Sequence, residues 1–310
     1  MVHPDWNIYL EEFGDYLRQE RSLTQNSLLA YASDVEKLQQ YADLEEWPES
    51  PLAVTQDRLL QFITYIYDLG MSAPSQARIL AGVKAFYKFL LFRDLIEEDP
   101  SALLEGPKIE QKLPDTLAYY EVEQILEAID LSSPEGLRNR AIIETLYSSG
   151  MRVTELTELR LTNLYADIGF LRVLGKGNKE RIVPIGKDAL KYVQRYTQHV
   201  RVHLDVQSGH EDYVFLNRRG TKLSRVMIFN IVKEATAKAG IQKKVSPHTF
   251  RHSFASHLVE GGANLRAVQD MLGHVSITTT EIYAHLDRDY LRQVITDYHP
   301  RSKHPIKEKR

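Results

Sequence analysis

Hydrophobic residues recur at three- and four-residue steps along the first 92 positions, which is the spacing of one face of an α-helix. Two such stripes lie near the start of the chain. They are formed by Trp6, Tyr9, Leu10, Phe13 and Leu17, and then by Leu28, Tyr31, Val35 and Leu38. The segments Gln56 to Leu69 and Ser75 to Phe92 predict two further helices. Four helices of these lengths predict a compact N-terminal bundle.

A helix-breaking segment follows this bundle. Residues 106–114 contain two prolines and one glycine, a composition that predicts a hinge between two domains. We therefore expect an N-terminal helical domain over residues 1–105 and a second domain over residues 115–300. Residues 301–310 are basic and polar, and we expect them to form a mobile tail.

Helical patterns continue in the second domain, with one interruption. We expect helices over residues 119–130, 136–149, 152–159, 187–205, 224–239 and several beyond 248. In residues 169–184, β-branched and apolar residues flank a Gly-Lys-Gly-Asn turn, which predicts a β-hairpin. The predicted fold class is mainly α, with a small β-hairpin or sheet in the C-terminal domain.

The bulk composition is that of a folded protein. The 310 residues suffice for two domains, and 43% are hydrophobic while 26% are charged. Acidic residues interrupt the first 17 positions, and no apolar run reaches the length that crosses a bilayer, so we expect neither a signal peptide nor membrane insertion. The absence of cysteine excludes disulfides, thiol nucleophiles and cysteine-ligated metals, and fits a cytoplasmic protein.

The net charge of −3 conceals an asymmetry along the chain. Residues 1–105 carry 8 Lys and Arg against 18 Asp and Glu, whereas residues 106–310 carry 31 against 24. Within the acidic part, residues 69–93 contain no acidic residue but four basic ones, Arg78, Lys84, Lys88 and Arg93. Because DNA binding depends on local charge, this island predicts a DNA-contacting helix. An ordinary solvated helix face explains it equally well.

The richest chemistry lies near the end of the chain. The segment His248-Thr249-Phe250-Arg251-His252 is followed by Leu272-Gly273-His274 and then by Tyr283. His248 and Arg251 are three residues apart, so on a helix they lie on one face and can converge on one anion. A tyrosine hydroxyl aimed at such an anion is a candidate nucleophile. The segment therefore predicts phosphoryl transfer, and DNA is the most abundant anionic phosphodiester.

Two further signals are ambiguous when taken alone. Arg152 and Glu155 follow Gly150 with helical spacing, which fits either a surface ion pair or an arginine held rigidly towards a phosphate. Lys176 lies in the hairpin turn, where it is either solvated or able to reach a bound substrate and donate a proton. Tyr283 is one of 17 tyrosines, and Tyr290 and Tyr298 compete with it on spacing.

A metal site is the main chemical alternative. His248 and His252 are four residues apart, as in metalloprotease helices, but the residue after the first histidine is Thr249 where those helices have Glu. No nearby group of carboxylates completes a site, so we expect no metal. The Gly-x-Ser-x-Gly pattern of a serine nucleophile is also absent from the sequence.

These motifs together resemble the tyrosine site-specific recombinases of the phage-integrase family. Five pieces occur in that family's order and approximate separations: Gly150-Met151-Arg152, Gly175-Lys176-Gly177, His248 to His252, Leu272-Gly273-His274 and Tyr283. The likeness is strongest to the Xer branch and its XerD-like members, and it covers almost the whole chain. The N-terminal half resembles the family's core-binding domain, notably at Ser22-Leu23-Thr24.

The resemblance implies a cut-and-rejoin cycle without metal or cofactor. Tyr283 would attack the scissile phosphate and form a 3′-phosphotyrosyl enzyme with a free 5′-hydroxyl. Arg152 and Arg251 would hold the non-bridging oxygens, and Lys176 would protonate the leaving oxygen. The remaining implied roles are proton transfer by His248, a phosphate hydrogen bond from His274 and orientation of Arg152 by Glu155.

The resemblance also implies partners. The two domains would form a clamp around double-stranded DNA at a specific recombination site, with helix 75–92 in the major groove. Four protomers, including a second Xer-type recombinase, would form a cyclic heterotetramer around a Holliday junction, with the region after Asp287 in the contact between neighbours. The expected role is resolution of chromosome dimers at cell division, licensed by a septal DNA translocase.

Three alternatives remain at this point. An integrase or invertase of a mobile element shares the chemistry, although the lack of an arm-binding segment before Trp6 favours the Xer branch. A type IB topoisomerase would relax supercoils as a monomer. A non-cleaving DNA-binding clamp would use the same fold without cutting, although the intact set of six site residues argues against it.

Overall fold

The computed structural model describes residues 5–20, 23, 25–108, 116–175, 180–273 and 288–303. The chain divides into two units, Met1–Lys112 and Leu113–Arg310, each with its own hydrophobic core. The division falls within 106–114, where the sequence predicts a hinge. Most of that interval lies outside the described residues, and the exact domain boundaries stay a prediction.

The first unit is the helical bundle that the periodicity predicts. Its helices are α1 (Asp5–Gln19), α2 (Gln25–Leu44), α3 (Gln56–Asp68) and α4 (Ala73–Phe92). The stripe residues of α1 point inward, and the ring of Phe86 on α4 packs against Trp6 and Phe13, with centroids 6.2 and 5.4 Å away. These aromatic contacts join α1 and α4 in the first core, and α4 also packs along α2.

The second unit is also mostly helical. Its helices are α5 (Tyr119–Glu127), α6 (Pro134–Ser149), α7 (Val153–Thr157), α8 (Lys187–His199), α9 (Arg225–Lys238), α10 (Pro247–Glu260), α11 (Leu265–Leu272), α12 (Arg288–Tyr298) and α13 (Pro300–Lys303). The central helix is α6, whose residues from Arg140 to Ser149 are all buried. A helix buried on every side must be covered by its neighbours, and α8 and α10 pack against it.

A small antiparallel sheet lies beside these helices. Strands β2 (Phe170–Leu174) and β3 (Glu180–Pro184) pair in the register Phe170 to Pro184 and Leu174 to Glu180, which confirms the predicted hairpin. A third strand, β1 (Leu164–Tyr165), pairs with β2 and was not predicted. Two residues are too short a run to show the alternation that reveals a strand.

Helix α8 is shorter than the sequence predicts. The expected helix over 187–205 ends at His199, and a short 3₁₀ turn over Arg201–His203 follows. Val200 leaves the helical region with φ −121° and ψ −57°. The guanidinium of Arg201 donates to the carbonyl oxygens of Tyr213 (3.0 Å) and Glu211, so tertiary hydrogen bonds redirect the chain at this point.

The expectation of a mobile tail from residue 301 is wrong at its first residue. Helix α12 buries Leu291, Val294 and Ile295 against α10 and α11. Arg301 is buried after it and forms an ion pair with Glu144 of α6. The basic sequence suggested a solvated tail, but Arg301 joins Arg140 in binding the buried carboxylate of Glu144.

His299 is buried next to this ion pair and is held in one tautomer. Its Nε2–H donates to the carbonyl of Tyr147 (3.3 Å), and its Nδ1 accepts from the backbone N–H of Arg301 (3.2 Å). Burial lowers the pKa of His299 to about 3, with a further contribution from the charge of Arg301. The folded protein therefore holds this imidazole neutral over the whole physiological range.

This burial predicts a pH-dependent stability. Below pH about 6.5 the unfolded chain protonates His299 while the folded chain does not, so stability is full above that pH and is lost as the pH falls. The slope is about 1.4 kcal/mol per pH unit for this one group. In urea unfolding followed by circular dichroism, His299→Gln should lose less stability between pH 7.5 and pH 5.5 than the wild type. The exposed His203→Gln is the control and should behave as wild type. Equal pH dependence in all three proteins would contradict the prediction.

Candidate active site

The site begins where α6 ends. Gly150 terminates α6 in the left-handed conformation, with φ +59°, and a Cβ at this position would lie 2.4 Å from the ring of Phe254. Only glycine combines this backbone angle with this approach. The turn buries Met151 in the core and places Arg152 at the start of α7.

Arg152 is held by Glu155 through both its backbone and its side chain. The backbone N–H of Arg152 donates to Glu155 Oε2 (2.7 Å), and Nη1 donates to Oε1 (3.1 Å). The Glu155 side chain is 3% exposed, whereas that of Arg152 is 35% exposed. The pair is therefore not an ordinary surface ion pair, because a buried carboxylate orients a guanidinium that remains accessible.

Helix α10 places His248 and Arg251 near Arg152. Ser246 and Thr249 exchange hydrogen bonds at the helix start, and Pro247 occupies the first helical position, where its missing N–H is not needed. Arg251 donates from Nη1 to the carbonyl of Gly150 (2.7 Å) and from Nη2 to that of Leu272 (2.6 Å). These bonds join the ends of α6 and α11.

The electrostatics of the cluster favour an anion. Burial, together with the nearby positive charge of Arg152, lowers the pKa of Arg251 to about 10. The group remains ionised at neutral pH, so its charge is retained at an energetic cost that a bound anion removes. His248 lies in the first turn of α10, and partial burial followed by the charges of Arg251, His252 and Arg152 lowers its pKa. His248 is therefore neutral at neutral pH and able to accept a proton.

A third arginine, Arg181 on β3, was missed by sequence reasoning. Its Nη1 and Nη2 donate to Glu155 Oε1 (2.6 Å) and Oε2 (2.8 Å). Burial opposes ionisation of Glu155, but these bonds and the charges of Arg181 and Arg152 outweigh it and lower the pKa of Glu155. The sequence does contain a hint of its role. Arg181 is two residues before the buried Val183, so both side chains lie on the strand face that meets the core.

The other three predicted catalytic residues, Lys176, His274 and Tyr283, lie outside the described residues. The structure does place the residues beside two of them. Strand β2 ends at Leu174 and strand β3 begins at Glu180, on either side of the segment with Lys176. Gly273, the residue before His274, ends α11 with φ +67°. Among the described residues, no group of three His, Asp or Glu is arranged to hold a metal.

The second unit, which contains this cluster, matches a known family. Residues 115–289 match the phage integrase family, and residues 10–94 match the N-terminal SAM-like domain of phage integrases. The chain belongs to the phage integrase family. The tyrosine recombinase XerD of Staphylococcus epidermidis is 41% identical over 297 residues, covering 96% of this chain and 100% of that relative. XerD of Chlorobaculum tepidum is 42% identical over 299 residues, covering 96% and 97%. This phage integrase family member is therefore a tyrosine recombinase, as the motifs predict.

Solved structures of the family show the same fold. A XerH site-specific recombinase bound to a difH substrate has a TM-score of 0.70 at 24% identity, covering 92% of this chain and 95% of that chain. A lambda integrase dimer bound to a COC′ core site has a TM-score of 0.68 at 17% identity, covering 98% and 79%. The predicted fold class, a helical N-terminal domain and an α-rich catalytic domain with a small sheet, is confirmed.

The basic residues of α4 are not equally available for binding. Arg78 Nη1 lies 2.5 and 2.6 Å from the two carboxylate oxygens of Asp34, which is buried on α2, so Arg78 joins two helices of the bundle. Lys84 Nζ donates to the carbonyl of Ala102 (3.3 Å). Lys88 is exposed. Half of the Arg78 side chain remains exposed despite this ion pair. Contact of these three residues with DNA stays a prediction. In the part of the chain that the structure describes, no helix is long and apolar enough to cross a bilayer.

Replacing Glu155 should separate the effect of the site's charge on anion binding from the effect of Arg152 orientation on cleavage. Glu155→Gln keeps the size of the side chain but removes the charge that holds two guanidinium groups. We expect DNA cleavage to slow about tenfold to a hundredfold, because a misplaced Arg152 no longer meets the phosphate in line. Sulfate binding should not weaken, because the cluster becomes more positive. Single-turnover cleavage and sulfate titration followed by NMR measure the two effects. A wild-type cleavage rate at saturating DNA would show that Glu155 serves stability alone.

Proposed function

We propose that this recombinase cuts and rejoins double-stranded DNA at a specific site, with Tyr283 as the nucleophile. The observation that carries the proposal is the clustering of His248 and Arg251 of α10 with Arg152, whose guanidinium is held by the buried carboxylate of Glu155. Three arginines, Arg152, Arg181 and Arg251, surround one carboxylate, so these groups carry a net charge of +2. A phosphodiester carries one negative charge, and the phosphorane-like transition state of its cleavage carries more.

The arginines would act on that transition state. Arg152 is anchored at one end and accessible at the other, so its fork would hold a non-bridging oxygen without losing much side-chain entropy. Arg251 is fixed by two carbonyl oxygens and would approach the same phosphate from α10. Donors that are already oriented stabilise developing charge more than the ground state, which is the condition for catalysis.

Proton transfer would complete the cycle. Neutral His248 would accept the proton of the attacking Tyr283 hydroxyl, directly or through His274 and water. The Tyr283 oxygen forms a bond to phosphorus as the bond to the 5′-oxygen breaks, and Lys176 donates a proton to that leaving oxygen. A 5′-hydroxyl of a partner strand then attacks the 3′-phosphotyrosyl bond and releases the tyrosine. Such a cycle needs no metal or cofactor.

The relatives support the proposed biological role. Proteins named XerD match at about 40% identity over 96% of the chain, which supports the resolution of chromosome dimers at cell division. A related lambda integrase is known as a tetramer bound to a Holliday junction. We infer that this protein acts on a specific recombination site in a cyclic heterotetramer with a second Xer-type recombinase, in the cytoplasm and under a septal DNA translocase.

A suicide substrate tests the chemistry. A duplex nicked close to the scissile phosphate loses the strand that would religate, so the covalent complex accumulates. We expect the wild type to be trapped and to migrate slowly in a denaturing gel, and Tyr283→Phe to give no covalent product. Tyr290→Phe is the matched control, since Tyr290 is an exposed competitor on spacing, and it should be trapped as wild type.

Two outcomes of this experiment would contradict the proposal. Trapping of Tyr283→Phe would assign the nucleophile to another residue. A wild type that binds the site but is never trapped would favour a non-cleaving DNA-binding protein.

The exposed lysine of α4 gives a second test of DNA binding. The logarithm of DNA affinity falls linearly with the logarithm of salt concentration. The slope is steeper by about 0.9 for each lysine that neutralises a phosphate. We expect Lys88→Ala to reduce that slope by about 1 while binding weakens for all sequences alike. Arg18→Ala on α1, where Asp15 already holds the arginine at 2.9 Å, is the control. An unchanged slope in Lys88→Ala, measured by fluorescence anisotropy, would remove α4 from the interface.

A further inference from the structure

Three N–H groups of the Arg181 side chain donate hydrogen bonds to two separate helices. Nη1 and Nη2 bind both oxygens of Glu155 on α7, and Nε donates to the carbonyl of Met271 on α11 (3.1 Å). The side chain is 14% exposed. A guanidinium satisfied in this way is fixed in position and joins the two elements that it contacts.

The contact with α11 continues to the residue before His274. A Cβ added to Gly273 would lie 3.1 Å from both Cδ and Nε of Arg181 and 3.2 Å from Cζ. The guanidinium therefore lies flat against the backbone of Gly273. It limits how the chain leaves α11, and the next residue is His274.

The contact with α7 determines the setting of Arg152. Glu155 Oε1 accepts from both Arg152 Nη1 (3.1 Å) and Arg181 Nη1 (2.6 Å). A carboxylate fixed at both oxygens by Arg181 cannot rotate, so it presents a defined acceptor to Arg152. The structure thus links Arg181 to the catalytic candidate Arg152 and to Gly273, the residue before His274, neither of which is on its own strand.

We propose that Arg181 is a positioning residue of the recombination reaction, which sets Arg152 through Glu155 and sets the chain entering His274 through Met271 and Gly273. The inference rests on the proposed function, because it concerns the rate of DNA cleavage. Arginine is required here, since the ammonium of lysine is a single donor centre that cannot span two carboxylate oxygens and a carbonyl.

The main experiment measures single-turnover cleavage of the suicide duplex at saturating DNA. We expect Arg181→Gln and Arg181→Lys to cleave about tenfold to a hundredfold more slowly than wild type, while DNA affinity changes by less than about threefold. Arg172→Gln is the matched control. Arg172 is on the neighbouring strand β2, but it pairs in register with Ile182 and donates to Asn163 (2.9 Å), away from the site. It should cleave at the wild-type rate.

Two further readouts separate positioning from stability. The first is a double-mutant cycle with Glu155→Gln. The double variant should cleave much faster than the product of the two single-variant losses predicts, because both residues act through one contact. A substrate with sulfur at the 5′-bridging position needs no general acid, since thiolate is a good leaving group. That substrate should restore cleavage by Lys176→Ala but not by Arg181→Gln.

The outcomes are distinguishable. An untrapped wild type overturns the proposed function and the inference with it. A trapped wild type with equally fast Arg181→Gln overturns the inference alone, and leaves Arg181 a structural role. Recovery of Arg181→Gln on the sulfur substrate also overturns it, because Arg181 would then act through the lysine of the hairpin.

Discussion

The site depends on one buried carboxylate shared by two guanidinium groups. Glu155 is a buried residue of α7, where water cannot solvate it, so its charge persists only because Arg152 and Arg181 bind it. In return it holds both arginines in fixed positions. The neighbouring Arg251 adds a further positive charge, which makes the cluster a receptor for an anion. Orientation and excess charge, the two requirements for stabilising a phosphoryl-transfer transition state, thus come from the same contact.

The fold of the second unit serves this cluster through the ends of its helices. α6 ends at Gly150 and α11 at Gly273, both in the left-handed conformation, and Arg251 binds a backbone carbonyl at each end. Helix ends expose carbonyl groups that need donors, and two arginines, Arg251 and Arg181, supply them here. A separate buried ion pair, between Glu144 and Arg301, ties the C-terminal segment to α6.

Much of the site could be predicted from local sequence. Ser246 and Pro247 are typical of a helix N-terminus, and the spacing from His248 to Arg251 places both on one helix face. Gly150 and Gly273 are typical of the ends of α6 and α11. Arg181 could not be predicted with them, because its partners are 26 and 90 residues away along the chain. The pairing of Arg78 could not be predicted either, because its partner is a buried aspartate 44 residues away. Half of the Arg78 side chain remains exposed, and its contact with DNA stays a prediction.

The sequence by itself determined the helical periods, the hairpin, the helix caps and the order of the recombinase motifs, because each depends on residues within a few turns of one another. Only the tertiary structure decided which charges are buried and which cation meets which carboxylate. Arg152, Arg181 and Arg301 have the same side chain in the sequence. The first remains accessible, the second joins two elements and the third is buried, because burial and pairing are properties of the assembled core.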